Sequence, residues 1–331
     1  MTELYPIKFE PILKQRIWGG NALAEKYGKK AGRDDLIGES WELSAVSGDI
    51  SIVANGFLAG NDLQEIIEVY MGDITGEKVY EKYGDEFPLL IKLIEAREVL
   101  SVQVHPNDNL AKERHNAYGK TEMWYILEAD KDAVIFTGFR EPVTRDLYKN
   151  ALTGNRLPHL LNAEHPVKGD VLYTPAGRIH AIGAGLTLVE IQQTSDITYR
   201  IYDWERMGPQ GEPRELHIDL AEDAIDYSSA NNCIIRKESV PETTINLVKC
   251  DYFVSNILAF GNPVEKDYNL MDSFVIYICV EGEFIVKWDK GSEIVVKGET
   301  VLIPAIITEL TLEPKPEAKV LEVFANTKSF E

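Results

Sequence analysis

The stretch "SVQVHPND", residues 101–108, follows the apolar run "FPLLIKLIEA" and carries Gln103 and His105 two positions apart. Alternate residues of a strand share a face, so the carboxamide and the imidazole point at one spot. Such a pair either hydrogen-bonds a polar partner or gives lone pairs to a metal ion. Of the six histidines, His115, His159, His165 and His217 lie in helical or loop contexts and read as packed or solvated side chains. His180 differs. It ends "GDVLYTPAGRIH", in which a strand pattern stops at Pro175, turns at Gly177 and resumes.

The elements around these residues are mostly short strands, among them "SWELSAV", "EMWYILEA", "DAVIFTGF", "LTLVEIQQ", "FVSNILAF", "EFIVKW" and "KVLEVF". Their β-branched and aromatic content, punctuated by Gly and Pro, predicts a mainly β fold. Helical patterns are fewer ("DLQEIIEVYM", "DNLAKERHNAY", "PVTRDLYKNAL", "PRELHIDLAEDAI") and alternate poorly with the strands, which disfavours a parallel βαβ sheet. "GDVLYTPA" at Gly169 is echoed by "GETVLIPA" at Gly298, and a long hydrophobic hairpin precedes each copy. The echo predicts two related barrels. The expected division is a domain over 1–235 with helical insertions and a C-terminal barrel over 236–331, joined within "CIIRKESVPETTINLV". "GETVLIPAIITEL" has neither the glycine nor the histidine of the first copy, so the second barrel is expected to be metal-free.

The spacing of "GDVLYTPAGRIH" resembles the second motif of the cupin superfamily, small jelly-roll barrels in which that histidine ligates a metal. The family's usual Asn four residues later is Ala184 here. The other cupin motif supplies a His-x-His pair and a Glu. Its equivalents are Gln103, His105 and, farther downstream than usual, Glu122. The resemblance therefore implies a site of Gln103, His105, Glu122 and His180. Two imidazoles, a carboxylate and an amide oxygen suit Zn²⁺ with an open position. They also suit Fe²⁺ in an oxygenase-like triad.

With 331 residues and ordinary globular composition, the chain can bury a large core. Its 34 basic and 54 acidic side chains give a net charge of −20, which argues against nucleic-acid or anionic-membrane partners. No stretch has the length of a membrane span and no signal-peptide core is visible, so a cytoplasmic protein is expected. Cys233, Cys250 and Cys279 are odd in number and widely spaced, and read as reduced thiols. The acidic surface suits a monomer or a weak homo-oligomer.

Five blocks, "YPIKFEPILKQRIWGG", "GESWELSAV", "PLLIKLIEAREVLSVQVHPND", "GKTEMWYIL" and "GLTLVEIQQTSDITYRIYDW", occur in the order of the type I mannose-6-phosphate isomerases, short bacterial form. This resemblance implies two cupin-like jelly rolls, one Zn²⁺ on Gln103, His105, Glu122 and His180, and a sugar-phosphate substrate. The reaction implied is interconversion of mannose 6-phosphate and fructose 6-phosphate through a cis-enediol. The family's active-site arginine corresponds to Arg200. Lys120, two residues from Glu122, and Glu190 are the candidate bases. Trp18 and Trp41 read as pocket-wall or packing residues. The rival readings are an iron-dependent cupin dioxygenase and a non-enzymatic sugar-phosphate-binding cupin.

Overall fold

The computed structural model describes residues 4–330 except 33–34, 209–210 and 231–232. It is mainly β, with two cupin-like jelly rolls and a few covering helices. One seven-stranded sheet runs in the order Ile12–Gly20, Ile37–Leu43, Leu89–Ala96, Leu186–Gln193, Glu122–Ala129, Val171–Thr174, Ile234–Ile235. A five-stranded sheet, Tyr199–Tyr202, Val102–Val104, His180–Ile182, Ile135–Phe139, Leu161–Glu164, closes over its inner face. A second seven-stranded sheet begins at Ile245–Lys249 and occupies the C-terminal part.

The central strands of the first sheet are buried on both faces, which explains their nearly unbroken apolar runs. Leu89, Ile91, Leu93, Met123, Tyr125, Val189 and Ile191 enter one core together with Ile257, Ile276, Ile278, Leu321 and Val323 of the C-terminal sheet. Phe87 and Phe274 meet there at 4.4 Å between ring centroids. The alternate residues Ile94, Trp124, Ile126 and Leu188 face the interior of the first jelly roll. The two sheets therefore stand back to back on a shared apolar layer.

They also match row by row. Trp41 pairs with Lys92, Lys92 with Glu190, Glu190 with Trp124, and Trp124 with Leu172. In the C-terminal sheet Asn246 pairs with Asn256, Asn256 with Glu322, Glu322 with Tyr277, and Tyr277 with Val301. Leu172 and Val301 occupy the same place in the echoed segments, whose turn glycines Gly169 and Gly298 have φ of 90° and 89°. The chain passes from one sheet to the other between Ile235 and Ile245, although Ile7 at the N-terminal end pairs with Leu302.

Each expected helical pattern contains a helix: Leu63–Tyr70, Asp108–His115, Arg145–Thr153 and Ile218–Ala224. Side chains of Asp62, Asn107 and Thr144 cap the first three, as short polar N-cap residues do. Tyr148 and Ala221 from the last two helices pack with Val102, Val104, Ile179 and Tyr199, so these helices cover the outer face of the five-stranded sheet. Ala22–Tyr27 and Glu77–Tyr83 are additional helices, too short to show a periodic apolar face. No helix among the described residues is long and apolar enough to cross a membrane.

The shared layer has a measurable consequence. Phe274→Ala should cost about 3–5 kcal/mol, the usual range for emptying a buried phenylalanine site. Denaturant unfolding followed by fluorescence and by far-ultraviolet dichroism should show both probes shifting together. A loss confined to one probe would mean that the sheets unfold independently.

Candidate metal centre and active site

Two rows of side chains meet inside the first jelly roll. On the five-stranded sheet, His180 pairs with Gln103 and Gln103 with Arg200, so all three project from one face. The opposing row is the Lys92–Glu190–Trp124 row, with Glu122 two residues along the same strand as Trp124, opposite Gln192. His105 Nδ1 donates to the Ile197 carbonyl at 2.9 Å, and His180 Nδ1 donates to the Arg178 carbonyl at 2.9 Å. Each bond leaves the Nε2 lone pair pointing inward. His105 Nε2 lies 3.5 Å and His180 Nε2 3.3 Å from the two oxygens of Glu122. Gln103 Nε2 lies 3.3 Å from His180 Nε2, and a half-turn of the amide would present its oxygen instead.

The donor atoms of His105, Glu122 and His180 lie within 4.8 Å of one another, and all three residues are buried. His105 Nε2 and both Glu122 oxygens have no hydrogen-bond partner among the described residues. Buried polar atoms are rarely left so, because each forfeits its hydration. A cation among them would satisfy all three at once. The set therefore fits a metal ion on its own chemistry.

The charges follow from burial and from neighbours. Burial pushes His180 down to about 4, and burial followed by the Lys120 ammonium holds His105 well below its usual range. Both imidazoles are thus kept neutral, the form that ligates. Burial, then the adjacent Glu190 carboxylate, pushes Glu122 up to about 8. Burial works in the same direction on Glu190, but Lys92 and Lys120 outweigh it and hold that carboxyl below the usual range.

Above the triad lies a cavity of about 370 Å³ whose walls include Gln103, Lys120, Glu190 and Arg200. Lys120 Nζ is 3.6 Å from Glu122 Oε2. Arg200 Nη1 donates to the Glu215 carbonyl at 2.8 Å. All seven residues singled out in the sequence are therefore brought to one place. Other residues joined them without having been foreseen. Lys92 is buried 3.1 Å from Glu190 and 4.9 Å from the Trp41 ring centroid. Arg16 forms a two-pronged pair with Glu39 at 3.0 and 3.2 Å. Burial would raise Glu39, yet Lys92 and Arg16 bring it down to about 2. Asp196 and Arg214 complete the polar wall, and Trp18 lines it as one of the two alternatives expected. A larger hollow of about 630 Å³ around Lys29 and Glu42 lies away from the triad.

Known proteins resemble the chain over most of its length. The sequence profile of the type I phosphomannose isomerase catalytic domain matches residues 7–140. Mannose-6-phosphate isomerase ManA of Bacillus subtilis is 34% identical, over 93% of this chain and 96% of its own length. The chain belongs to the type I phosphomannose isomerase family. A crystal structure of the mannose 6-phosphate isomerase from Bacillus subtilis superposes with a TM-score of 0.81 at 28% identity, covering 97% of this chain and 99% of that one. A mannose 6-phosphate isomerase bound with zinc and yttrium shares the fold, with a TM-score of 0.75 at 18% identity, covering 97% and 100% of the two chains.

A proton balance tests the triad. The Glu122 carboxyl, raised to about 8, carries a proton at pH 7 in the metal-free chain, while both imidazoles do not. A divalent ion must displace that one proton. Titrating Zn²⁺ into metal-free protein in buffers of different ionisation enthalpy should show about one proton released per ion at pH 7, falling as pH rises through 8. In Glu122→Gln the release should vanish. Binding with no proton released by the parental chain would mean that Glu122 is already ionised, and parental zinc affinity in Glu122→Gln would remove it from the site.

Proposed function

We propose that this chain interconverts D-mannose 6-phosphate and D-fructose 6-phosphate, with Gln103, His105, Glu122 and His180 holding one Zn²⁺. The observation that carries the reading is the set of buried, unsatisfied lone pairs beside a cavity lined by Gln103, by Lys120 and by other cationic side chains. Zinc bound there would supply a Lewis acid beside the sugar oxygens. The dioxygenase and sensor readings lose their ground to the family assignment. A sugar phosphate does not cross membranes unaided, which supports a cytoplasmic reaction.

The chemistry needs a proton to leave C2 of the open-chain aldose: the C–H electron pair becomes the C1=C2 bond, and the C1=O π pair moves to O1, which takes up a proton to give a cis-enediol. A proton is then delivered to C1 while the O2 hydroxyl gives up its own and C2 becomes the carbonyl. Lys120 is our choice for carrying the carbon proton. It is buried, it lines the cavity and it stands beside the triad. Glu190 is the poorer base. Lys92 engages one of its oxygens and Trp124 Nε1 donates to the other at 2.9 Å, and its carboxyl is held down. Its role is to keep Lys92 charged and in place.

The phosphate binds at the Arg200 side of the cavity. Five cationic side chains (Arg16, Lys92, Lys120, Arg200 and Arg214) face three carboxylates (Glu39, Glu190 and Asp196) in that wall. Burial, and after it the nearby Arg214, lowers the Arg200 guanidinium, and a bound anion would offset both.

A coupled assay for fructose 6-phosphate, run with and without a chelator, decides the overall reading. Activity that survived complete removal of metal would overturn it. Lys120→Met should lower kcat by at least a hundredfold with zinc content unchanged, within the range for general acid–base catalysis. Arg200→Lys separates two roles. A cation that binds only phosphate raises KM when weakened, whereas one that acts on the enediolate lowers kcat, typically by about a hundredfold to a thousandfold. We expect the KM effect.

A further inference from the structure

The segment that presents Lys120 and Glu122 is held from the far side of the molecule. Tyr252 sits in the turn between Ile245–Lys249 and Phe253–Phe260 of the C-terminal sheet. Its hydroxyl donates to Asp108 Oδ2 at 2.7 Å. Asp108 opens the helix that follows the Gln103–His105 strand. Its other oxygen accepts from Gly119 N at 2.8 Å and from Gln193 Nε2 at 2.9 Å. Gln193 in turn accepts from Thr121 N at 2.9 Å through its side chain and donates its own N–H to the Thr121 carbonyl at 3.2 Å. Lys120 N donates to the Pro106 carbonyl at 3.1 Å. A Cβ on residue 119 would lie 2.6 Å from Asp108 N, so this close approach needs the glycine found there.

Backbone groups on both sides of Lys120 are therefore fixed through one carboxylate, and a tyrosine of the C-terminal sheet fixes that carboxylate. We propose that Tyr252 is a positioning residue for the active site: through Asp108 and Gln193 it sets the segment that carries Lys120 into the strand begun by Glu122. The C-terminal jelly roll thereby takes part in the reaction without touching the sugar. The inference rests on the roles given above to Lys120 and Glu122.

Tyr252→Phe removes one hydroxyl and keeps the ring. Partners of metal ligands and of reacting groups typically cost about tenfold to a hundredfold in metal affinity or activity when lost. We expect kcat to fall by about tenfold with KM for mannose 6-phosphate nearly unchanged. Zinc release to a chelator should quicken by a similar factor, and the thermal midpoint should shift little. In the metal-free chain, hydrogen exchange at the Gly119 and Thr121 amides should accelerate, while amides of the shared apolar layer stay protected. Asp108→Asn should act in the same direction, and the two changes together should cost less than the product of their separate factors, as members of one network do. Parental zinc release with parental exchange at Thr121 would overturn the proposal, as would multiplicative losses in the double variant. Lys120→Met in the otherwise parental chain tests the underlying catalytic reading by itself, since exchange at Thr121 does not depend on it.

Discussion

In the middle of a sheet covered on both faces, the Lys92 ammonium stands 3.1 Å from the Glu190 carboxylate. Buried pairs of this kind are a weak source of stability, because desolvation offsets most of the attraction. What this pair does is set the ionisation of everything near it. Glu190 stays negative against burial, and its charge adds to burial in holding the neighbouring Glu122 above the usual carboxylate range. Lys92 stays positive for the same reason, held by Glu190 and then Glu39 against burial, and it draws Glu39 and Arg16 into line behind it. The run Arg16–Glu39–Lys92–Glu190 therefore forms a fixed framework of alternating sign. Glu122 is the group left at its end that can exchange a proton for a metal.

The same sheet dictates why a second jelly roll is present. Its back is as apolar as its inner edge, and Leu89, Ile91 and Met123 would face water without a partner layer. The C-terminal sheet supplies that layer and repeats the row register. At the position of Glu190 it keeps a carboxylate, Glu322, with Lys266 at 2.8 Å, Asn256 at 2.9 Å and Tyr268 at 2.5 Å as partners. No imidazole faces that row among its described partners. The carboxylate is kept in the second sheet, but Asn256 stands at the position of Lys92, and the candidate metal ligands lie in the first jelly roll alone among the described residues. Each of the Glu322 oxygens is occupied by donors of the chain itself, which leaves that carboxylate a packing element.

How far the site could be read from sequence follows from where its residues lie. Gln103, His105, Glu122, His180, Lys120, Glu190 and Arg200 lie on strands or at their edges, where a period of two converts spacing into direction. Polar residues at inward positions then stand out. Lys92 carried the same signal, as the lone charge inside "PLLIKLI", but a run that is apolar on both faces hides the alternation that would have said which way it points. Arg16 and Glu39 became a pair only through strand pairing. Arg214 reaches the cavity from a loop whose return is not encoded locally, with Asp203 gripping it at 2.5 and 2.7 Å. The back-to-back packing was unreadable for the same reason as Lys92: two buried faces look like one continuous apolar strand.

Charge and distance together explain why a strongly acidic chain can serve an anionic substrate. At physiological salt the field of surface carboxylates is screened within roughly 8 Å, so the overall charge of −20 governs solubility more than docking. Inside the cavity, screening is weak and the cationic wall governs. The remaining requirement is separation. In the reaction proposed above, a phosphosugar would meet a cation at one end and the metal at the other, and its own length would fix the gap. His180, Gln103 and Arg200 are register neighbours on three adjacent strands. Strands in a sheet lie about 4.8 Å apart, so the backbones bearing the triad histidine and the arginine are held roughly 10 Å apart. A hydrogen-bonded sheet keeps that distance far better than a loop could. The jelly roll acts here as a ruler, with His180 two strands from Arg200 and Gln103 midway between them.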